Sequence, residues 1–173
     1  YQMLGLRVRD PFGVESRLQE VEGLGLLDME TEMFQDKITS QVEAVLDVAS
    51  SRSVGERERL FGYEIHMGRS VSKGHSSPVF RIIRRDGEKV ELEDGLTQPG
   101  MSVWGTYIHG VFDNDPFRRR FLNDVRERSG KGVVRVSASF SYEKWKEEQY
   151  DLLAEHVRKH CQVERVYRLI GIR

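Results

Sequence analysis

The clearest periodicity in the chain lies in FGYEIHM. Alternation with a period of two puts Phe61, Tyr63, Ile65 and Met67 on one face of a strand and Gly62, Glu64 and His66 on the other. Glu64 and His66 therefore project together, either as a carboxylate–imidazole pair or, more commonly, as an outward polar face. VFRIIRR and KVELED flank Asp86-Gly87, a dipeptide that favours a hairpin because glycine accepts positive φ. SVWGTYIHGVF alternates again, with Val103, Gly105, Tyr107 and His109 on one side. Further strands are predicted in GLGLLDMETEMF and VEAVLDVA, and a loop or hairpin tip in the polar residues 50–59. At the start, Met3, Leu4, Leu6 and Val8 read as the tail of a helix broken by Gly5, before the turn residues Asp10, Pro11, Phe12 and Gly13.

Helices follow the strands. Asp115 before Pro116 is a good helix start, because a carboxylate can cap free amides and proline's missing N–H costs nothing at the first position. Phe117, Phe121, Leu122 and Val125 give that helix an expected buried stripe. Residues 142–161 predict a second helix whose apolar face, Tyr142, Trp145, Leu152, Leu153 and Val157, is expected to dock on another surface. No repeat or proline-rich linker divides the chain. Strands followed by helices predict one α/β layered domain over residues 1–173.

Length and charge narrow the classes. At 173 residues the chain is long enough for one domain with a real core. Its 27 Lys+Arg against 28 Asp+Glu give a formal net charge of -1. No global field then points to nucleic acid or an anionic membrane, and any partner must be argued from a local site. The single cysteine excludes an internal disulfide framework, and no run of roughly 18 apolar residues predicts a membrane span. These features are those expected of a soluble cytoplasmic protein. The first residue is Tyr1, without an initiator methionine or a basic-then-apolar leader, so a piece of a longer chain is expected.

Few motifs carry chemistry on their own. There is no GxxxxGK[ST], and the Gly-x-Gly of GLGLLD lacks a third glycine and a following helix, so a tight turn is the better reading. His156 and His160 have metal-compatible i, i+4 spacing beside Cys161, but Glu155, Arg158 and Lys159 mark a solvated helix end, and no metal site is expected. Arg118, Arg119 and Arg120 point around their helix and are expected in water. His109 ends an apolar strand next to Gly110, which allows close approach of a backbone or a ligand. A structural and a catalytic histidine are about equally compatible with that position.

YQMLG, GLGLLD, FGYEIHMG, GTYIHGVFDN and YRLIG occur in this order over nearly the whole chain. In this the chain resembles the C-terminal glutamine amidotransferase domain of the cobyric acid synthases. The cobyrinic acid a,c-diamide synthases are similar, but their versions of FGYEIHMG and GTYIHG resemble these less. The resemblance implies an open, flavodoxin-like class I amidotransferase α/β sheet, with the first part of the domain upstream of Tyr1. It places the nucleophile in Cys-Gly-Gly-Tyr-Gln-Met-Leu, three residues before Tyr1.

His109 matches the catalytic histidine of that family and Gln2 the glutamine of its nucleophile turn; Tyr63, Glu64 and His66 match a motif near the substrate. Val111 stands where the wider class has an orienting glutamate, so a backbone carbonyl or Glu64 is expected to orient His109. The implied partners are glutamine and, through an upstream synthetase domain using ATP and Mg²⁺, a corrinoid whose carboxylates are amidated in cobalamin biosynthesis. No cofactor is implied for this chain itself. Without the cysteine it is expected to be inactive alone. A boundary inside the sheet is also expected to leave Tyr63, Ile65, Trp104 and Ile108 partly uncovered and to favour self-association. The alternative is a non-catalytic amidotransferase-like binding or interaction module.

Overall fold

The long strand β3, Met29–Leu46, organises the sheet. It is continuous where the sequence suggests two strands, because an irregularity between Met33 and Ile38 absorbs the polar residues between its two apolar halves. The structure, a computed structural model, describes residues 1–47, 58–74, 76–98, 102–134 and 140–172. Of the expected loop at residues 50–59, only Glu58 and Arg59 fall within the described residues, and Arg59 opens β4, Arg59–Ser72. The described chain forms two compact units, Tyr1–Phe117 and Arg118–Arg173.

In the first unit β4 runs antiparallel along one edge of β3. The other edge of β3 takes β1, Arg7–Arg9, in parallel near its start and β5, Phe80–Arg85, antiparallel near its end. β2, Glu20–Glu22, pairs with β1, and β6, Glu88–Asp94, pairs with β5. The β5–β6 hairpin turns at Asp86 and Gly87, with φ of 50° and 83°, the double positive φ expected of that dipeptide. Leu96–Thr97, β7, and Trp104–Gly105, β8, form a separate two-stranded ladder. Finally β9, Ile108–His109, joins the free edge of β4.

Two local expectations change. The helical tail at the start is a single 3-10 turn, Gln2–Leu4, because the chain after Gly5 is drawn into the sheet by Leu6 N–H donating to the Met29 carbonyl at 2.8 Å. The alternating run through GTYIHG is not one strand but two. It breaks at Thr106 and Tyr107, where side chains replace the ladder: Tyr107 N–H donates to Asp94, and Ile108 N–H to the Thr106 hydroxyl.

The faces of β4 are the reverse of what the alternation suggests. Leu60 is 1% exposed and Glu64 3%, whereas Phe61 is 63% exposed and Tyr63 40%. The register explains this. Leu60 and Gly62 lie opposite Ala44 and Val42, which belong to the core cluster with Phe80, Ile82, Ile108, Val111 and Phe117. A Cβ on Gly62 would collide with the His109 carbonyl and lie 2.6 Å from Ile108 Cγ2, so the glycine is what lets β9 dock. Glu64 is tolerated on the core face because it carries its own partners, Arg85 Nη2 at 2.7 Å and His66 Nε2 at 3.2 Å. Of the four positions expected to be uncovered, Tyr63 and Ile65 are exposed, Trp104 is half-buried and Ile108 is buried.

The second unit is helical. α1, Asp115–Arg128, starts at the predicted Asp115 but buries only Phe117 of its expected stripe; Leu122 and Val125 are exposed. α2, Tyr142–His160, is capped by Ser141, whose hydroxyl accepts from Lys144 N–H, and none of its residues is buried. Leu152 and Leu153 are thus exposed. Helical spacing identifies residues that share a face, not what covers it. Arg118, Arg119 and Arg120 are half-buried rather than in water, and Arg118 lies over the Phe140 and Tyr142 rings at 5.5 and 5.7 Å. α3 spans Val163–Leu169. Among the described residues no helix is long and apolar enough to cross a membrane.

Glu64→Ala leaves Arg85 without its carboxylate, and a loss of about 3 kcal/mol is expected, the low end for a broken buried pair because 29% of the Arg85 side chain keeps its solvent. Burial alone raises the Glu64 pKa, but the His66 hydrogen bond and the Arg85 charge outweigh it and hold the carboxyl below 4.5. Its contribution is therefore present above pH 4.5 and lost as pH falls through the lowered folded value. Denaturant melts of wild type and Glu64→Ala should converge at acid pH, and a gap that stays constant down to pH 3 contradicts the assignment. Gly62→Ala should cost about 1–3 kcal/mol through forced repacking against β9; an unchanged melting temperature contradicts the close approach.

Candidate active site

The first unit contains a cavity of about 560 Å³ whose lining includes Tyr1, Gln2, Asp10, His66, Tyr107 and His109. It lies where the turn at the start of the chain meets β4 and the segment entering β9. His109 is exposed at its margin. The β9 register sets it opposite Tyr63, and the two rings stack with centroids 5.0 Å apart and planes 7° from parallel. Behind it Gly110 adopts a left-handed φ of 79° and turns the chain, so this glycine serves the turn. Asn114 then locks the turn to β4. Its amide nitrogen donates to the carbonyls of Phe61, Gly110 and Val111 at 2.9, 3.1 and 3.2 Å, and its oxygen accepts from Phe61 N–H at 2.9 Å.

Glu64 does not orient His109. Adjacent positions on paired strands face opposite ways, so Glu64, opposite Ile108, lies on the core face while His109 and Tyr63 lie on the other. Val111, where the wider class carries an acid, is buried in the core cluster. What Glu64 holds is His66, whose Nε2 meets its carboxylate while Nδ1 meets the Gly68 carbonyl at 2.8 Å. The His66 ring stacks on Tyr107 at 3.9 Å and 19°. Tyr107 also receives the edge of Tyr1 at 4.8 Å, and its hydroxyl is bonded to Ser70, which is bonded in turn to Thr31, at 2.7 and 2.6 Å. Burial raises the pKa of both phenols. Gln2 Nε2 reaches Met33 Sδ at 3.5 Å and fills the space a side chain on Gly68 would need.

Three residues of predicted interest, Gln2, His66 and His109, thus line one cavity, with Tyr63 stacked on His109 and Glu64 bonded to His66. The others do not join them. Cys161 is exposed at the end of α2, where the His156 and His160 rings lie 4.2 Å apart and His160 Nδ1 is bonded to the His156 carbonyl. Among the described residues no group of three His, Cys, Asp or Glu side chains could share a metal ion. In GLGLLD, Gly25 has a φ of 63° in a bend, where the amides of Leu24 to Leu27 donate to the carbonyls of Met3, Leu4 and Gly5.

Sequence reasoning missed Asn114, Asp10 and Asp94. The Asp10 carboxylate accepts from the amides of Val14, Glu15 and Ser16 at 2.7, 2.9 and 2.9 Å, which fixes the loop beside the cavity. The Val14 bond is the main reason its pKa is lowered. Asp94 is 6% exposed at the end of β6, and burial raises its pKa against the opposing bonds from Thr106 and Tyr107. Both aspartates stand beside turn residues, Asp10-Pro11 and Asp94-Gly95, a signal too general to distinguish them from ordinary turn chemistry.

Residues 1–117 match the family described as CobB/CobQ-like glutamine amidotransferase domain. Similar curated proteins bear the name cobyric acid synthase. That of Syntrophobacter fumaroxidans (strain DSM 10017 / MPOB) is 60% identical over 99% of this chain and 34% of its own length. Those of Thermoanaerobacter sp. (strain X514) and Clostridium botulinum (strain 657 / Type Ba4) are 42% and 40% identical over 98% and 100% of this chain, again 34% of their own lengths. The chain therefore spans about a third of the curated relatives it matches. Its mixed sheet and three described helices agree with the flavodoxin-like α/β class, although in the described sheet only the β1–β3 pairing is parallel. The family match covers the whole unit that holds the cavity and His109, and the chain belongs to the CobB/CobQ-like glutamine amidotransferase domain family.

Proposed function

We propose that this chain belongs to the glutaminase domain of a cobyric acid synthase, and that His109 is its acid–base residue. The observation that carries the reading is the placement of an exposed histidine, fixed by β9, Tyr63 and the Asn114-locked turn, at the margin of a cavity beside the turn Gln2–Leu4. By the family motif, the nucleophilic cysteine stands three residues before Tyr1.

In this reading His109 takes the proton of the cysteine thiol, and the thiolate attacks the side-chain amide carbon of glutamine. The tetrahedral adduct collapses as His109 returns the proton to the departing nitrogen. The C–N bond breaks, ammonia leaves, and a glutamyl thioester remains. His109 then takes a proton from water as its oxygen attacks the thioester carbon; the C–S bond breaks, the proton passes to sulfur, and glutamate and the thiol are restored. Gln2 and His66 line the space for the glutamine side chain, Glu64 acts through His66, and Tyr63 supports the His109 ring. The ammonia serves a separate synthetase domain, which uses ATP and Mg²⁺ to amidate carboxylates of a corrinoid.

Steady-state glutaminase assays on the polypeptide extended upstream through the cysteine test this. His109→Asn should lower kcat by about a hundredfold or more, as loss of a positioned general base does, while amidation driven by added ammonia persists. A loss below about tenfold contradicts the role. The 173-residue chain alone should release no glutamate, since its one cysteine is exposed at a helix end outside the cavity lining. Release that disappears in Cys161→Ala contradicts this.

A further inference from the structure

We propose that Asp94 is a positioning residue for His109: from the end of β6 its carboxylate fixes the segment that carries the chain into β9, and so sets where the imidazole meets the cavity. The inference rests on the reading of His109 as the glutaminase base.

The need for such a residue comes from the shortness of β9. It has two residues, with only Tyr63 and Glu64 opposite them. The two residues before it, Thr106 and Tyr107, belong to no strand. A ladder this short defines a register weakly by itself. Asp94 supplies what the ladder lacks. One carboxylate oxygen accepts from the Thr106 hydroxyl and the other from Tyr107 N–H at 3.2 Å, while the Thr106 oxygen accepts from Ile108 N–H at 3.0 Å. One buried side chain therefore orders three successive residues, ending one short of His109.

Asp94 is itself firmly placed. It lies opposite Phe80 in the β5–β6 ladder, and its carbonyl accepts from Val79 N–H at 3.2 Å. Gly95 follows with a φ of +70°, and a Cβ there would strike the Gly105 carbonyl, so β8 packs closely against this turn. Tyr107 is also held by the His66 stack and a T-shaped contact with Tyr1. The entering segment is thus held both by its backbone and by a ring. Among the described residues no cation forms a salt bridge with Asp94, so its burial is matched by these hydrogen bonds rather than by an ion pair.

A carboxylate is suited to this task because it accepts from a hydroxyl and an amide at once. An alanine removes both acceptors, whereas an asparagine could keep both bonds by donating N–H to the Thr106 hydroxyl oxygen. In the polypeptide extended through the cysteine, Asp94→Ala and Thr106→Val should each lower kcat for glutamine hydrolysis by about tenfold or more, with KM within about threefold, as expected when a reacting group is displaced by a fraction of an ångström. Thr106→Ser, which keeps the hydroxyl, should return kcat to within about threefold of wild type, the rescue that marks the bond as the cause. In the same variants the His109 ring proton resonances, shifted by the stacked Tyr63 ring, should move towards unstacked values in Asp94→Ala and Thr106→Val only.

A folded Asp94→Ala protein with wild-type kcat, or one in which only KM rises, overturns the proposal. So do unmoved His109 resonances. Should Asp94→Ala not fold, the Thr106 pair decides, and equal loss in Thr106→Ser and Thr106→Val overturns it. A wild-type polypeptide without glutaminase activity refutes the reading of His109 instead, and the resonance comparison then stands as the separate test of positioning.

Discussion

The two-residue pairing of β9 with β4 is the constraint on which the site depends. Setting His109 opposite Tyr63 and Ile108 opposite Glu64 decides which side chains meet the cavity and which enter the core. A slip of one residue would turn the imidazole towards the core cluster and Ile108 outward. Three features fix the register. Gly62 admits the incoming strand, Asn114 ties the turn beyond it to Phe61, and Asp94 holds the segment before it.

The same register separates two buried carboxylates into different tasks. Glu64 has a guanidinium and an imidazole beside it, and these outweigh burial and keep it ionised. Asp94 has hydroxyl and amide donors and, among the described residues, no salt-bridged cation, and its pKa is raised by burial and further by the charge of Glu64. Glu64 orients His66, whose ring then supports Tyr107; Asp94 holds Tyr107 through its backbone N–H. The two acids thus converge on one residue of the segment that leads to His109.

Much of this was legible in the sequence, and the exceptions have physical causes. The Asp86-Gly87 hairpin is local chemistry and formed as expected, as did the start of α1 at Asp115. The chain order of the motifs, read by resemblance, identified the family. Alternation in FGYEIHM correctly placed Glu64 and His66 side by side, but it could not say which face is inside. That was decided by Val42 and Ala44 across the ladder and by the arrival of Arg85 from a strand two places away. Asp94 and Asn114 were hidden for a related reason. Each acts on backbone groups near in space, and neither residue type is distinctive at its own position. The gap between Gly105 and Ile108 was equally invisible, since a side chain replacing a ladder bond leaves the apolar alternation intact.

The most direct test of the account is a crystal structure of the polypeptide extended through the upstream cysteine and trapped as the covalent adduct of an electrophilic glutamine analogue. In that structure the glutamyl chain should lie in the cavity lined by Gln2 and His66, with the His109 imidazole within hydrogen-bond reach of the cysteine sulfur and Glu64 still turned to His66 and Arg85. An adduct lying outside this cavity, or a His109 ring turned away from the sulfur, would contradict it.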